Sequence, residues 1–300
     1  MPLTRLDHVL IAVRDLDAAA RDYETLIGRP ASLRSHHPDH GTANALFYLD
    51  NTYIELISPR SDGPFADKLR AHLDSHGDGL LGLALGTDDA DALAAEWQKA
   101  GLKATAPQAG RGDTPDGRTR HWRNVYVPEE ATLGLLMFAI EHVSCAAAGP
   151  EAGPDAAAGL VGSPATLHAV DHVVINTPDG NQAIALLRDA MGIRLALDRD
   201  APQWGARMLF FRLGGITLEV IQRYGEGTAP APPADAPARY WGIAFRAVDV
   251  AAAQARLAAA GVDVSQVRTG RKPGTVVATV RDTSCGVPTL IIGPAPEEAA

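Results

Sequence analysis

Two pairs of residues with equal spacing could do chemistry in this sequence. His8 stands in LDHVLIAV (6–13) and Glu55 in TYIELIS (52–58), 47 positions later; His172 stands in VDHVVINT (170–177) and Glu219 in ITLEVIQ (216–222), again 47 later. Each glutamate is flanked by apolar residues, Ile54 and Leu56 or Leu218 and Val220, where an unpaired charge would be costly. Two arrangements would satisfy it. Neutral imidazole with carboxylate is a ligand set for Zn²⁺, Fe²⁺, Mn²⁺ or Ni²⁺. A plain His–Glu hydrogen bond across a curled sheet would serve equally, and the residues leave both open.

The elements that must position these groups recur. LDHVLIAV reads as a buried strand, apolar on both faces. It leads through an acidic turn into an Ala/Leu-rich helix ending at Gly28. The pattern returns at 82–102, 170–193 and 240–262, ending at Gly101, Gly192 and Gly261, and strand-like segments such as ANALFYLD, HWRNVYV, ARMLFFRL and TVVATVR follow each copy. The unit is a βαβββ module, present four times, which makes an α+β fold of two domains with curved mixed sheets. The Ala/Gly/Pro-rich stretch 145–166 reads as a linker between residues 1–144 and 167–296. Connections at 59–79 and 225–239 separate the modules within each half.

Composition narrows the partners. A net charge of −9 over 300 residues is the wrong field for a nucleic acid or an anionic membrane as main partner. No apolar run has the length of a membrane span, and the N-terminal apolar stretch is cut short by Arg14, Asp15 and Asp17. Two cysteines, Cys145 and Cys285, are no disulfide framework. The expectation is a cytoplasmic protein acting on a small molecule.

Further candidates flank the pairs. HHPDHGTAN (36–44) reads as a loop overhanging the first cup, with His37 and Asn44 facing a ligand. In RTRHWRNVYV (118–127), Arg120, Trp122 and Asn124 alternate against His121 and Arg123; an arginine there could clamp a carboxylate, and His121 and Arg123 join the substrate-binding set. GRGDTPDG reads as a turn with no following helix, hence no phosphate cradle. Of Phe210 and Phe211, only one can line a cup.

The fourfold plan, with His and Glu on first and last strands, resembles the vicinal oxygen chelate superfamily, which includes glyoxalase I, methylmalonyl-CoA epimerase, extradiol dioxygenases and fosfomycin-resistance proteins. Residues 6–142 are similar to bacterial glyoxalase-like domains with an HPxxGTxN motif, here His37, Pro38, Gly41, Thr42 and Asn44, and with a DG…W segment in TPDGRTRHWRN (114–124). The resemblance implies paired modules curled into cups and a divalent metal (Zn, Ni, Mn or Fe) held by His8, Glu55, His172 and Glu219, with His8 and Glu55 also catalytic. Alignment of the modules puts Gly82 and Phe138, and Tyr240 and Leu290, at the partner positions, so each sequential pair of modules has half a metal site.

Three resolutions follow. His121, His37 or Tyr240 completes a site, or else the cups take an organic ligand without metal; module one pairs with module three, within the chain or across a homodimer, uniting all four ligands; or the pairs are structural vestiges. The function implied is an isomerase or lyase on a small oxygenated metabolite, its metal polarising vicinal oxygens while a glutamate moves a proton. The alternatives are a metal-free sequestering protein and an extradiol-type dioxygenase, which needs two histidines and a glutamate in one barrel.

Overall fold

The computed structural model describes residues 3–143, 162–225, 231–281 and 284–296; most of the expected linker, through residue 161, and Cys145 lie outside them. The first module is β1 (Leu3–Ala12), α1 (Leu16–Ile27), β2 (Leu33–His37), β3 (Thr42–Tyr48) and β4 (Tyr53–Pro59). Helix α2 (Pro64–His76) connects it to β5 (Gly79–Thr87), α3 (Ala90–Lys99), β6 (Gln108–Asp113), β7 (Thr119–Tyr126) and β8 (Leu136–Val143). The third is β9 (Leu167–Thr177), α4 (Gly180–Ile184, running on as a π-helix over Ala185–Ala190), β10 (Arg194–Ala201), β11 (Ala206–Leu213) and β12 (Ile216–Arg223). The fourth is β13 (Arg239–Ala247), α5 (Val250–Ala259), β14 (Arg268–Thr269), β15 (Thr275–Val280) and β16 (Thr289–Pro294).

The acidic turns explain why each first strand gives way to a helix at the same point. Asp15, Asp89, Asp179 and Asp249 are the N-caps of α1, α3, α4 and α5, each accepting hydrogen bonds from backbone N–H groups of the first turn. Such a cap stabilises its helix by ~1 kcal/mol. Three stretches depart from the sequence reading. The connection after β4 contains α2, whose Ala66, Leu69 and Leu73 bury one face. HHPDHGTAN is not an overhanging loop, because His36 and His37 end β2, and GRGD belongs to β6. These strands lack an apolar alternation, since their partners supply the core.

Modules one and two close into an eight-stranded barrel, in the order β1-β4-β3-β2-β6-β7-β8-β5, sealed where His36 of β2 pairs with Asp113 of β6. Modules three and four form an open eight-stranded sheet, β10-β11-β12-β9-β13-β16-β15-β14. Sequential modules therefore pair within the chain; β1 lies between β4 and β5, and β9 between β12 and β13, so module one does not pair with module three. One apolar cluster, including Tyr23, Phe47, Trp97, Phe211 and Phe245, joins the outer faces of both sheets and the helices. Asn51, in the β3–β4 turn, donates from Nδ2 to the Val170 carbonyl (2.8 Å) and accepts from its N–H (3.0 Å), extending β9 across the junction. No helix among the described residues is long and apolar enough to cross a membrane.

Candidate functional site

His8 and Glu55 meet inside the closed barrel. Glu55 lies opposite Leu10 on the parallel strand, and His8 Nε2 reaches Glu55 Oε2 at 3.2 Å. The β1–β5 register slips between Leu6 and His8, so Asp7 is an extra residue on β1. Such a bulge re-aims a side chain. His8 Nδ1 donates to Asp7 Oδ1 at 2.9 Å, and His142 Nε2 lies 3.1 Å from both Asp7 oxygens. Beyond Glu55 the chain of bonds continues. Asn44 donates one amide hydrogen to Glu55 Oε1 (2.8 Å) and the other to His37 Nε2 (3.2 Å), so His37 donates from Nδ1 to Thr42 Oγ1 (2.9 Å). Ser35 supplies two donors to Asn44 Oδ1.

The charges follow from this wiring. Burial opposes ionisation of Glu55, but the hydrogen bond and charge of His8 outweigh it and pull the carboxyl down to about 2. Burial alone would lower His8, but hydrogen bonds to Asp7 and Glu55 raise it to about 9. Asp7, likewise against burial, is held far below the carboxylate range by hydrogen bonds from His142 and His8. His37, desolvated without a donated carboxylate bond, falls to about 4 and is neutral at pH 7. The result is an ionised Asp7–His8–Glu55 triad with both carboxylates engaged.

The second half repeats the triad in the open. A register slip in the β9–β13 pairing makes Asp171 the extra residue, and His172 Nδ1 donates to Asp171 Oδ2 at 2.9 Å while Nε2 stands 3.5 Å from Glu219 Oε2. Arg246 Nε donates to Asp171 Oδ1 at 2.8 Å. Here the His172 and Glu219 side chains keep 18% and 14% of their exposure, against 3% and 8% for His8 and Glu55. Burial pushes the Glu219 carboxyl up, with His172 and Arg271 offsetting part of the rise. Phe210 lies across from Glu219 on β11 and lines this cup, while Phe211 is wholly in the core.

The structure brings together His8, Glu55, His37 and Asn44, four of the candidates. It does not bring His121 or Arg123 to them: His121 is exposed, and Arg123 is tied to Asp91 and Glu141 on the outer face. The inner face of β7 carries Arg120, Trp122 and Asn124 instead. Arg120 lies over Trp122 (5.8 Å) and donates to the Tyr48 hydroxyl (3.3 Å), and Trp122 meets the His37 ring edge-on (5.5 Å). Asp7, Asp171 and His142 were missed; the signal for the first two was the Asp-His dipeptide written in both copies.

The four expected metal ligands sit as two separate pairs, one per cup. The registers Leu10↔Gly82 and His8↔Ala84 make Gly82 the twofold counterpart of His8, and Ala84↔Phe138 makes Phe138 that of Glu55. In the second cup the counterparts are Gly242 and Leu290; Tyr240 is displaced by the bulge at Trp241, and its hydroxyl donates to the Leu136 carbonyl across the junction. A Cβ on Gly82 would fall 2.9 Å from the Leu136 oxygen, and on Gly242 2.6 Å from that of Pro288. Among the described residues no three His, Cys, Asp or Glu side chains converge to hold a metal. One imidazole and one carboxylate, faced by glycine and an apolar side chain, fall short of the three protein ligands of a catalytic site, so a divalent metal does not fit either cup. A cleft of about 310 Å³ between the halves, lined by Glu130, Leu133, Thr177, Asp179 and Gln182 among others, contains none of these four residues.

Paired βαβββ modules with His and Glu on their first and last strands define the vicinal oxygen chelate class. More narrowly, the chain belongs to the glyoxalase-like domain family, whose model matches residues 6–162; residues 171–279 match the glyoxalase/bleomycin resistance protein/dioxygenase superfamily. The chain is similar to the ethylmalonyl-CoA/methylmalonyl-CoA epimerase of Cereibacter sphaeroides, 44% identical over 59 residues, which are 20% of this chain and 44% of that protein. It is also similar to the human mitochondrial methylmalonyl-CoA epimerase, 30% identical over 111 residues, 37% of this chain and 61% of that one. The chain thus spans about half the length of these curated relatives. A mutant 4-hydroxymandelate synthase from Streptomyces coelicolor shares the fold with TM-score 0.65 at 13% identity, over 100% of this chain and 95% of that one. A hypothetical protein from Staphylococcus aureus does so with TM-score 0.64 at 13% identity, over 95% and 98%.

Proposed function

We propose that the chain is a proton-transfer isomerase of the epimerase type, working in the second cup on a small carbonyl compound. The observation that carries this reading is the contrast between the two glutamates. Glu55 has both oxygens bonded and a depressed pKa, which suits a structural anion. Glu219 has a raised pKa, lines the open cup and has no full hydrogen bond among the described residues, which suits a general base.

Glu219 takes a proton from carbon next to a carbonyl, and the C–H electron pair moves into the carbonyl to give an enolate. The Nδ1–H of His172 is fixed on Asp171, so Nε2 faces Glu219 and passes the abstracted proton on to solvent. A proton delivered by solvent to the opposite face of the enolate gives the epimer. His8 and Glu55, expected to be catalytic, serve in this reading to hold the first barrel, and His37 and Asn44 belong to the same network. The names of the epimerase relatives supply the first compounds to try.

The test is exchange of the α-proton of methylmalonyl-CoA and ethylmalonyl-CoA in D₂O, followed by NMR without added metal. Exchange should fall by about a hundredfold or more in Glu219→Gln and survive in Glu55→Gln. No exchange by the wild-type chain on either thioester, or loss in Glu55→Gln alone, would overturn the reading.

A further inference from the structure

At the margin of the open cup two arginines have no hydrogen-bond or ion-pair partner among the described residues. Arg199, on β10, faces Met208 on β11, one row along from Leu197, Phe210 and Glu219 on the same side of the sheet. Its guanidinium carbon lies 5.7 Å from the Trp204 ring centroid, and that of Arg271, from the β14–β15 turn, lies 4.2 Å from the same ring. Neither arginine has a carboxylate partner among the described ion pairs. The acidic neighbours of Arg199 project from the other face, where Asp198 holds Arg207 at 2.6 Å. Two guanidinium groups gathered on one indole place like charges together, and an anion bound between them would offset that repulsion. Arg271 is also near enough to Glu219 for its charge to act on that carboxyl.

We propose that the substrate of the second cup carries an anionic group, a carboxylate or a phosphate, held by Arg271 and Arg199 over Trp204. This rests on the second cup being the working one, and adds the substrate class. The floor between the clamp and Glu219 is apolar, formed by Met208, Phe210 and Ile221, so the ligand is an anion with a short apolar body. An arginine fork takes either oxyanion through paired N–H donors, and stacking on tryptophan pre-orders it.

The experiment is calorimetric titration of the full chain with malonate and with inorganic phosphate, beside uncharged dimethyl malonate. At least one dianion should bind, malonate preferentially if the group is a carboxylate and phosphate if it is a phosphoryl group, and dimethyl malonate should not. Arg271→Ala should weaken that binding about tenfold or more, Arg271→Lys should restore part of it, and Arg188→Ala, which removes an equal charge at a surface pair with Asp189, should leave it unchanged. Absence of binding by both dianions, equal binding of the diester, or equal weakening by Arg188→Ala overturns the clamp. Binding needs no turnover, so the two ideas fail separately: dianion binding without α-proton exchange overturns only the epimerase reading, and exchange without dianion binding overturns only the clamp.

Discussion

His8 Nε2 and Glu55 Oε2 stand 3.2 Å apart inside a closed barrel, between an Asp7 carboxylate on one side and an Asn44 amide on the other. The pair is thus the centre of a saturated polar network. Breaking a buried charge pair by removing one member costs about 3–5 kcal/mol, because the other is left uncompensated. Glu55→Ala should lower the unfolding free energy by that order. Glu219→Gln should be neutral or stabilising, since burial already disfavours its charge. Urea unfolding of the two variants checks the difference, and a larger loss in Glu219→Gln would contradict the division of roles between the cups.

The same network sets a pH window. His37 folds with its pKa lowered from 6.5 to about 4, so the unfolded chain binds its proton first as pH falls. Its contribution is full above pH 6.5 and is lost between 6.5 and 4, by up to ~3 kcal/mol. His8, raised to about 9, acts in the opposite sense: its contribution is full below 6.5 and disappears as pH rises through 9. Thermal unfolding followed from pH 4 to 10 should show stability falling at both ends, and His37→Gln should flatten the acid limb.

The glycines opposite the histidines close off a simple return to a four-ligand site. Gly242→His drives a Cβ toward the Pro288 carbonyl, contact that overpacked sites relieve at a cost of typically ~1–3 kcal/mol. The variant should be less stable and gain no metal. Stoichiometric zinc or nickel in purified Gly242→His, measured by elemental analysis, would show that the backbone yields more readily than its packing implies.

Asn51 tests the junction. Asn51→Ala leaves the Val170 N–H and carbonyl without their partners, and an unsatisfied buried group costs about 1–3 kcal/mol. The variant should unfold at lower urea with both sheets unchanged by circular dichroism.

The repeat, the two His–Glu pairs and the helix caps were legible because each depends on local order. Gly82 and Phe138 were placed correctly by aligning copies, whereas Tyr240 was two positions off: His8 and His172 stand seven residues before the helix caps Asp15 and Asp179, and the same spacing before Asp249 falls on Gly242. Asp7 and Asp171 escaped notice because strand alternation puts them on the face away from the histidine, and a bulge turns them back. On β7 the choice between the two faces was read wrongly, since His121 and Arg123 are as polar as Arg120 and Asn124, and only barrel closure decides which set is inside. That closure is a contact between modules, His36 with Asp113, and no local pattern announces it.

Sealing one sheet and leaving the other open also divides the risk of self-assembly. The barrel offers no free strand to a neighbour, while the second sheet ends in β10 and β14, with unpaired backbone groups that could template growth. Both ends are blunted. β10 alternates Asp198, Arg199 and Asp200 along its length, and β14 is only two residues long and carries Arg268. Charge and brevity at the margins allow the second cup to stay open to solvent without the sheet growing into a fibril.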